Sequence, residues 1–143
     1  MNRPAGPAGV VRAYLEALNR HQPDDIAACV TDDFVNEHTS RLGHSLVGRD
    51  AYRERLPGFL AAFRGLSYEI EDVIAAGDRV AVPYTLRAHG EGPDGVWRPV
   101  EVRGMFRFTV RDGRIAHRVD YWDSAVYQGQ VDGTTDGTSV TGR

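Results

Sequence analysis

Three stretches in the first half of the chain repeat apolar residues at helical spacing, and four in the second half alternate apolar with polar. In VVRAYLEALNR, Val10, Tyr14 and Leu18 recur every fourth position with Val11, Leu15 and Ala17 beside them. This predicts an amphipathic helix ending near Asn19–His21. Pro23 opens a second, short helix in PDDIAACV, because proline fits a first helical turn and Asp24 and Asp25 favour the positive end of the helix dipole. GRDAYRERLPGFLAAFRG predicts a third helix with the stripe Tyr52, Leu56, Phe59, Leu60 and Phe63. Pro57 is expected to kink or divide it, and Gly65 to cap it. Between the second and third helices, DDFVNEHT reads as a short strand and TSRLGHSLVG as a loop.

After Gly65 the apolar period changes to two. LSYEIEDVIA alternates Leu66, Tyr68 and Ile70, then shifts phase at Val73 and Ile74, which predicts a bulge. DRVAVPYTLRAHG alternates Val80, Val82, Tyr84 and Leu86; the N–H that Pro83 lacks must fall at an edge or an irregularity. RPVEVRGMFRFTV follows the hairpin loop EGPDGVWR and sets Val102, Gly104, Phe106 and Phe108 opposite Arg103 and Arg107. RIAHRVDYWDSAVY, after the tight turn VRDG, completes the strands. The expected fold class is α+β: a cone-shaped, curved antiparallel sheet whose concave face is closed by the N-terminal helices. Residues 9–127 are expected to form one domain between a flexible leader, 1–8, and a flexible tail, 128–143, which has too little apolar surface to fold alone.

Composition narrows the function. The chain has 143 residues and a formal net charge of −3, which argues against a nucleic-acid surface. The single Cys29 excludes an internal disulfide and a cysteine-based zinc cluster, and reads as a small core residue. The histidines, His21, His38, His44, His89 and His117, show no metal-ligand spacing. No glycine-rich phosphate loop precedes a helix and no serine nucleophile elbow occurs, so neither a metal nor another cofactor is expected. MNRPAGPAG lacks the pattern of a signal peptide and no run reaches membrane-spanning length, which makes a cytoplasmic location, with no membrane partner, the expectation.

The densest chemistry lies in AHRVDYWD. Strand parity puts Ala116, Arg118, Asp120 and Trp122 on one face and Ile115, His117, Val119 and Tyr121 on the other. A carboxylate in an apolar cone has its pKa pulled up by desolvation and down by a neighbouring guanidinium, which suits an acid or base near neutrality. The same Asp120–Arg118 pair would equally serve to tie the sheet to its cover. Glu37 and His38 point to opposite sides of their strand, so only one of them enters the cone. Tyr14 and Tyr84 offer phenols that donate to a carbonyl or phenolate, or that complete a core.

The pieces VRAYLEALNRH, DDFVNEH, VIAAGDRVAV, MFRFTVRDGRIAH and VDYWDSAVY, in this order from Val10 to Tyr127, resemble the nuclear-transport-factor-like superfamily. Its members include ketosteroid isomerases, limonene-epoxide-hydrolase-like proteins and SnoaL-like polyketide cyclases. By this resemblance Tyr14 stands at the oxyanion-hole tyrosine of the isomerases and Glu37 near their general base. Gly104 stands where they carry a protonated aspartate, a departure that argues against steroid isomerisation. Asp120 matches one aspartate of the epoxide-hydrolase-like group, whose other members fall near Val82 and Tyr84, again departures. Asp123 falls near the acid/base aspartate of the SnoaL-like cyclases. The resemblance turns Asp120 toward the cavity and Glu37, rather than His38, inward as the alternative base.

The catalytic candidates are thus Asp120, Glu37, Tyr14 and Arg118. The candidate substrate contacts are Tyr84, Trp122, Phe59, Phe63 and Val82, with Val102, Gly104, Phe106, Asp123 and His38. The implied activity is that of a cofactor-independent isomerase, cyclase or hydratase-like enzyme acting on an apolar, oxygenated small molecule. A non-catalytic binder of such molecules and an epoxide hydrolase with an altered catalytic group are the alternatives. A homodimer formed through the sheet is the resemblance-based expectation, with residues 134–143 dispensable to it.

Overall fold

The computed structural model describes residues 6–133. Helix α1 (Pro7–Asn19) buries the predicted stripe from Val10 to Leu18, and α2 (Pro23–Ala28) buries Ile26 and Ala27. Strands β1 (Val30–His38) and β2 (Leu46–Val47) precede α3 (Arg49–Ala62). Then come β3 (Arg64–Ile70), β4 (Ile74–Ala76), β5 (Arg79–Glu91), β6 (Trp97–Arg111) and β7 (Arg114–Tyr121), and last a helix, α4 (Ser124–Asp132). The strands form one curved, unclosed sheet in the order β2-β1-β7-β6-β5-β3, with β4 paired to β5. The class is α+β, with α1 and α3 over the inner face of the sheet.

The sheet is mixed rather than antiparallel throughout. β1 runs parallel to β7, with Asn36 beside Arg118 and His38 beside Asp120. No hairpin fixes the direction of β1, because the whole meander from β3 to β7 separates it from its neighbour, so either direction is open to it. β5, β6 and β7 are joined by hairpins and are antiparallel.

Three local features differ from the sequence expectation. The phase shift at Val73 is a break and not a bulge: β3 ends at Ile70 opposite Tyr84, and β4 resumes at Ile74 opposite Ala81. Pro83 lies across from this gap. Its carbonyl accepts from the Glu71 N–H at 2.9 Å, and in a strand the same edge would have carried its missing N–H. Helix α3 passes through Pro57 as one helix and ends at Ala62, before Gly65.

The third difference shapes the cavity. The expected last strand, RIAHRVDYWDSAVY, stops at Tyr121, and Ser124–Asp132 is helical, so the domain runs beyond residue 127 into the expected tail. Asp123 caps this helix, its side chain accepting from the Ala125 N–H at 2.9 Å. Tyr127 stacks against Phe63 with ring centroids 5.3 Å apart, and Val131 is buried. Residues 134–143, expected to be dispensable, lie outside the described residues.

Candidate functional site

The inner face of the sheet carries a run of side chains in register. Phe106 on β6 pairs with Asp120 on β7 and Phe108 with Arg118, while Tyr84 on β5 faces Gly104. Period-two alternation therefore sends Asn36, His38, Tyr84, Phe106, Arg118 and Asp120 to one side. Helix α3 closes over them with Tyr52, Arg55 and Phe59, Phe63 follows at its C-cap, and α4 adds Tyr127. The result is a cavity of about 220 Å³. That is below the ~300–1,000 Å³ usual for drug-sized ligands, so its occupant is small. Phe59, Phe63, Leu86, Val102 and Trp122 make its apolar wall, with Tyr68, Tyr84, His38, His44, Arg55 and Asp120 as its polar side chains.

Asp120 is 5% exposed. Its Oδ1 accepts from the Tyr84 hydroxyl at 2.6 Å, and its Oδ2 lies 3.6 Å from His38 Nδ1. Burial raises its pKa above the ordinary aspartate value, against the opposing pull of Arg118 and of the Tyr84 hydrogen bond. Burial and the Asp120 charge hold Tyr84 and Tyr68 protonated far above neutrality, so both phenols remain donors.

Arg118 does not bind Asp120 directly. Its Nε and Nη2 donate to Asn36 Oδ1 at 3.1 and 2.7 Å, and Nη1 donates to the Tyr14 hydroxyl at 2.8 Å. Tyr14 is itself bonded to Tyr52, hydroxyl to hydroxyl, at 2.5 Å. The guanidinium carbon stands 4.9 Å from the centroid of the Phe106 ring. Burial acts against this cation, but the phenols of Tyr14 and Tyr52 together with Asp120 outweigh it and keep Arg118 charged. Arg118 thus supplies fixed positive potential behind Asp120 without neutralising its oxygens.

His38 is held as a neutral ring. Arg118 Nη2 and Trp122 Nε1 each lie 3.3 Å from one of its nitrogens, and both groups can only donate. A neutral imidazole has one acceptor nitrogen, so it satisfies one of them at a time. With Nε2 accepting from Arg118, the Nδ1–H faces Asp120. Burial, then the charges of Arg118, Arg55 and His44, push its pKa down to about 3.

The sequence candidates therefore divide three ways. Asp120, Tyr84, Trp122, His38, Phe59, Phe63 and Val102 line the cavity. Arg118 borders a smaller recess beside it, with Tyr14, Val82 and Phe106 buried in the layer behind. Gly104 is also in that layer: a Cβ there would sit 2.6 Å from Tyr84 Cζ and collide with its hydroxyl, so the glycine is the space into which the Tyr84 phenol fits. Two candidates lie elsewhere. Glu37 faces the outer side of the sheet, where its Oε1 is 2.9 Å from His117 Nε2, because the parallel register with β7 turns His38 inward instead. Asp123 is spent on the cap of α4.

Sequence reasoning missed Asn36, Tyr52, Tyr68, Arg55, Leu42, His44, Leu86 and Tyr127. Asn36 is two residues from His38 and shares its face, and Tyr68 and Leu86 sit on predicted inner-face positions. Those three were open to parity. Leu42 and His44 come from a loop whose path periodicity does not encode. Among the described residues no three His, Cys, Asp or Glu side chains converge as a metal site would require.

The sequence profile described as SnoaL-like domain matches residues 11–118. No curated protein matches the chain. Among solved structures, a candidate polyketide cyclase from Xanthomonas campestris pv. campestris is 26% identical, with a TM-score of 0.75 over 87% of this chain and 96% of the other. An LEH-like epoxide hydrolase from M. tuberculosis is 24% identical, with a TM-score of 0.72 over 89% and 90%. The epoxide hydrolase/cyclase-like enzyme SalBIII, of pyran ring formation in the polyether salinomycin, is 22% identical, with a TM-score of 0.70 over 81% and 89%. The latter two likenesses are of fold.

Proposed function

The chain belongs to the SnoaL-like domain family, and within it we propose that this protein is a cofactor-independent isomerase or cyclase that moves a proton on a small, apolar, oxygenated molecule. One observation carries the reading. Asp120 lines a largely apolar and aromatic cavity, with Oδ1 held by the Tyr84 hydroxyl and Oδ2 3.6 Å from His38 Nδ1, too long for a hydrogen bond to occupy it. Desolvation makes that carboxylate a stronger base than an exposed aspartate.

The chemistry follows from these groups. Asp120 Oδ2 takes a proton from carbon beside a carbonyl; the C–H pair moves into the carbon–carbon bond and the carbonyl oxygen becomes an enolate oxygen. Tyr68, a protonated phenol on the cavity wall, donates to that oxygen. Where a β,γ double bond extends the enolate into a dienolate, return of the proton from Asp120 to the γ-carbon shifts that double bond into conjugation and completes an isomerisation. Attack of the enolate carbon on a second carbonyl of the same molecule closes a ring, and the proton then goes to the new alkoxide. The polyketide-cyclase and epoxide hydrolase/cyclase descriptions of the structural neighbours support this class of chemistry.

The test is α-proton exchange on a simple ketone of the right size. In D₂O, 2-tetralone should gain deuterium beside its carbonyl faster with the protein than with buffer alone. Asp120→Asn should reduce that acceleration by at least ~10²-fold, the usual contribution of a positioned base. Equal acceleration by the folded variant sinks the assignment. A homodimer through the outer sheet face is proposed alongside, supported by exposed Met105 and Tyr121 on that face. Light scattering should give twice the chain mass, and a monomer at micromolar concentration would refute it.

A further inference from the structure

Helix α3 carries three arginines, two of which are neutralised. Arg49 pairs with Asp32 at 2.5 Å and Arg53 with Asp24 at 2.7 Å. Among the described residues Arg55 has no acidic partner; its Nη1 donates to the His44 carbonyl oxygen at 3.1 Å. Helical spacing places Arg55 on the same face as Tyr52 and Phe59, the face α3 turns to the cavity. Accordingly it borders both the cavity and the recess beside Arg118. It is exposed, so it marks the mouth, whereas Asp120 is buried at the inner end.

The cavity is therefore polarised along its length. A guanidinium with unused donors stands at the entrance, an apolar and aromatic wall follows, and a carboxylate closes the far end. A planar anion accepts two parallel bonds from an arginine fork, which a neutral carbonyl group does less well. The same anion is repelled by Asp120. A ligand carrying one carboxylate thus enters one way round, with its charged end outward and its apolar body against Phe59, Phe63 and Trp122.

We propose that Arg55 is the specificity-determining residue of this cavity and that the ligands it selects are small aromatic or alicyclic carboxylates. The proposal rests on the acid/base reading of Asp120 for which end of the ligand reacts, and is independent of it for binding. Arg55 holds the carboxylate at the mouth and so presents the opposite end of the molecule to Asp120.

The probes are 2-naphthoate and its methyl ester, titrated by calorimetry into the wild-type protein, Arg55→Gln and Asp120→Asn. Wild type should bind naphthoate about tenfold tighter than the ester, the value of one charge-assisted hydrogen bond retained at a partly exposed site. Arg55→Gln should remove the preference while leaving ester affinity unchanged. Asp120→Asn should keep it, since the repelling group and not the receptor is lost. Added salt should weaken naphthoate binding and spare the ester. Equal affinities in the wild type, a preference that survives Arg55→Gln, or no binding of naphthoate would overturn the proposal. These titrations read no turnover, so a wrong role for Asp120 would leave them unchanged. A wrong role for Arg55 would likewise leave the exchange of 2-tetralone intact.

Discussion

Tyr84, Gly104 and Asp120 act as one unit. The glycine leaves room for the phenol, and the phenol fixes one oxygen of the carboxylate. The position that departs from the ketosteroid isomerase pattern is thus filled from the neighbouring strand: a phenol O–H occupies the space beside Gly104. Gly104→Ala forces Tyr84 off its place, and overpacking of this kind costs about 1–3 kcal/mol. Chemical denaturation should show that loss, together with reduced exchange activity; a variant as stable and active as wild type would mean that Tyr84 relaxes freely. Tyr84→Phe removes a hydrogen bond that lowers the Asp120 pKa, so the acid limb of activity should move to higher pH. A limb that moves down would show that Tyr84 does not stabilise the charged form.

Among the elements, α4 was the least legible in the sequence. Val126 and Tyr127 suit a strand, and the run DSAVYQ carries no strong helical stripe; the remaining sign was Asp123 as a cap, which the resemblance had assigned to catalysis. The parity of β5 and β6 was legible in their alternating apolar positions; in β7 strand parity put Asp120 and Arg118 on one face, but with neither face cleanly apolar only the resemblance turned that face to the cavity. The orientation of β1 was not, since its parallel partner lies 80 residues away for the Glu37–His117 contact and no turn encodes the pairing. That one register decides between Glu37 and His38. Asp123→Ala should cost about 1 kcal/mol by loss of the cap and speed amide exchange in α4, with the sheet amides unaffected. Because Tyr127 closes one side of the cavity, ligand affinity should fall with it. Unchanged α4 protection would show that packing of Tyr127 and Val131 alone holds the helix.

On the scale of the whole molecule, a half-buried neutral imidazole and a buried carboxylate push stability in opposite directions as pH falls. His38 has a folded pKa of about 3 and an ordinary unfolded value, so between about pH 6.5 and 3 the unfolded chain binds a proton that the folded chain does not. Stability is lost across that window at up to about 1.4 kcal/mol per pH unit. Asp120 has a raised folded pKa, so its protonation on acidification adds stability, complete below its unfolded value. His38→Asn should flatten the decline of stability between pH 6 and 4, whatever it does to stability at neutral pH. An unchanged slope would place the titrating groups elsewhere. Asp120→Asn, which removes a buried charge, should unfold at pH 7 no lower than wild type, an instance of function costing stability.

The central claim is that Asp120 is the base of this cavity, and the pH dependence of 2-tetralone exchange tests it most directly. The account predicts that kcat/KM rises with pH along a limb lying above the ordinary aspartate range near pH 3.9, and that this limb disappears in Asp120→Asn. A limb within the ordinary aspartate range, or one that persists in Asp120→Asn, would contradict it.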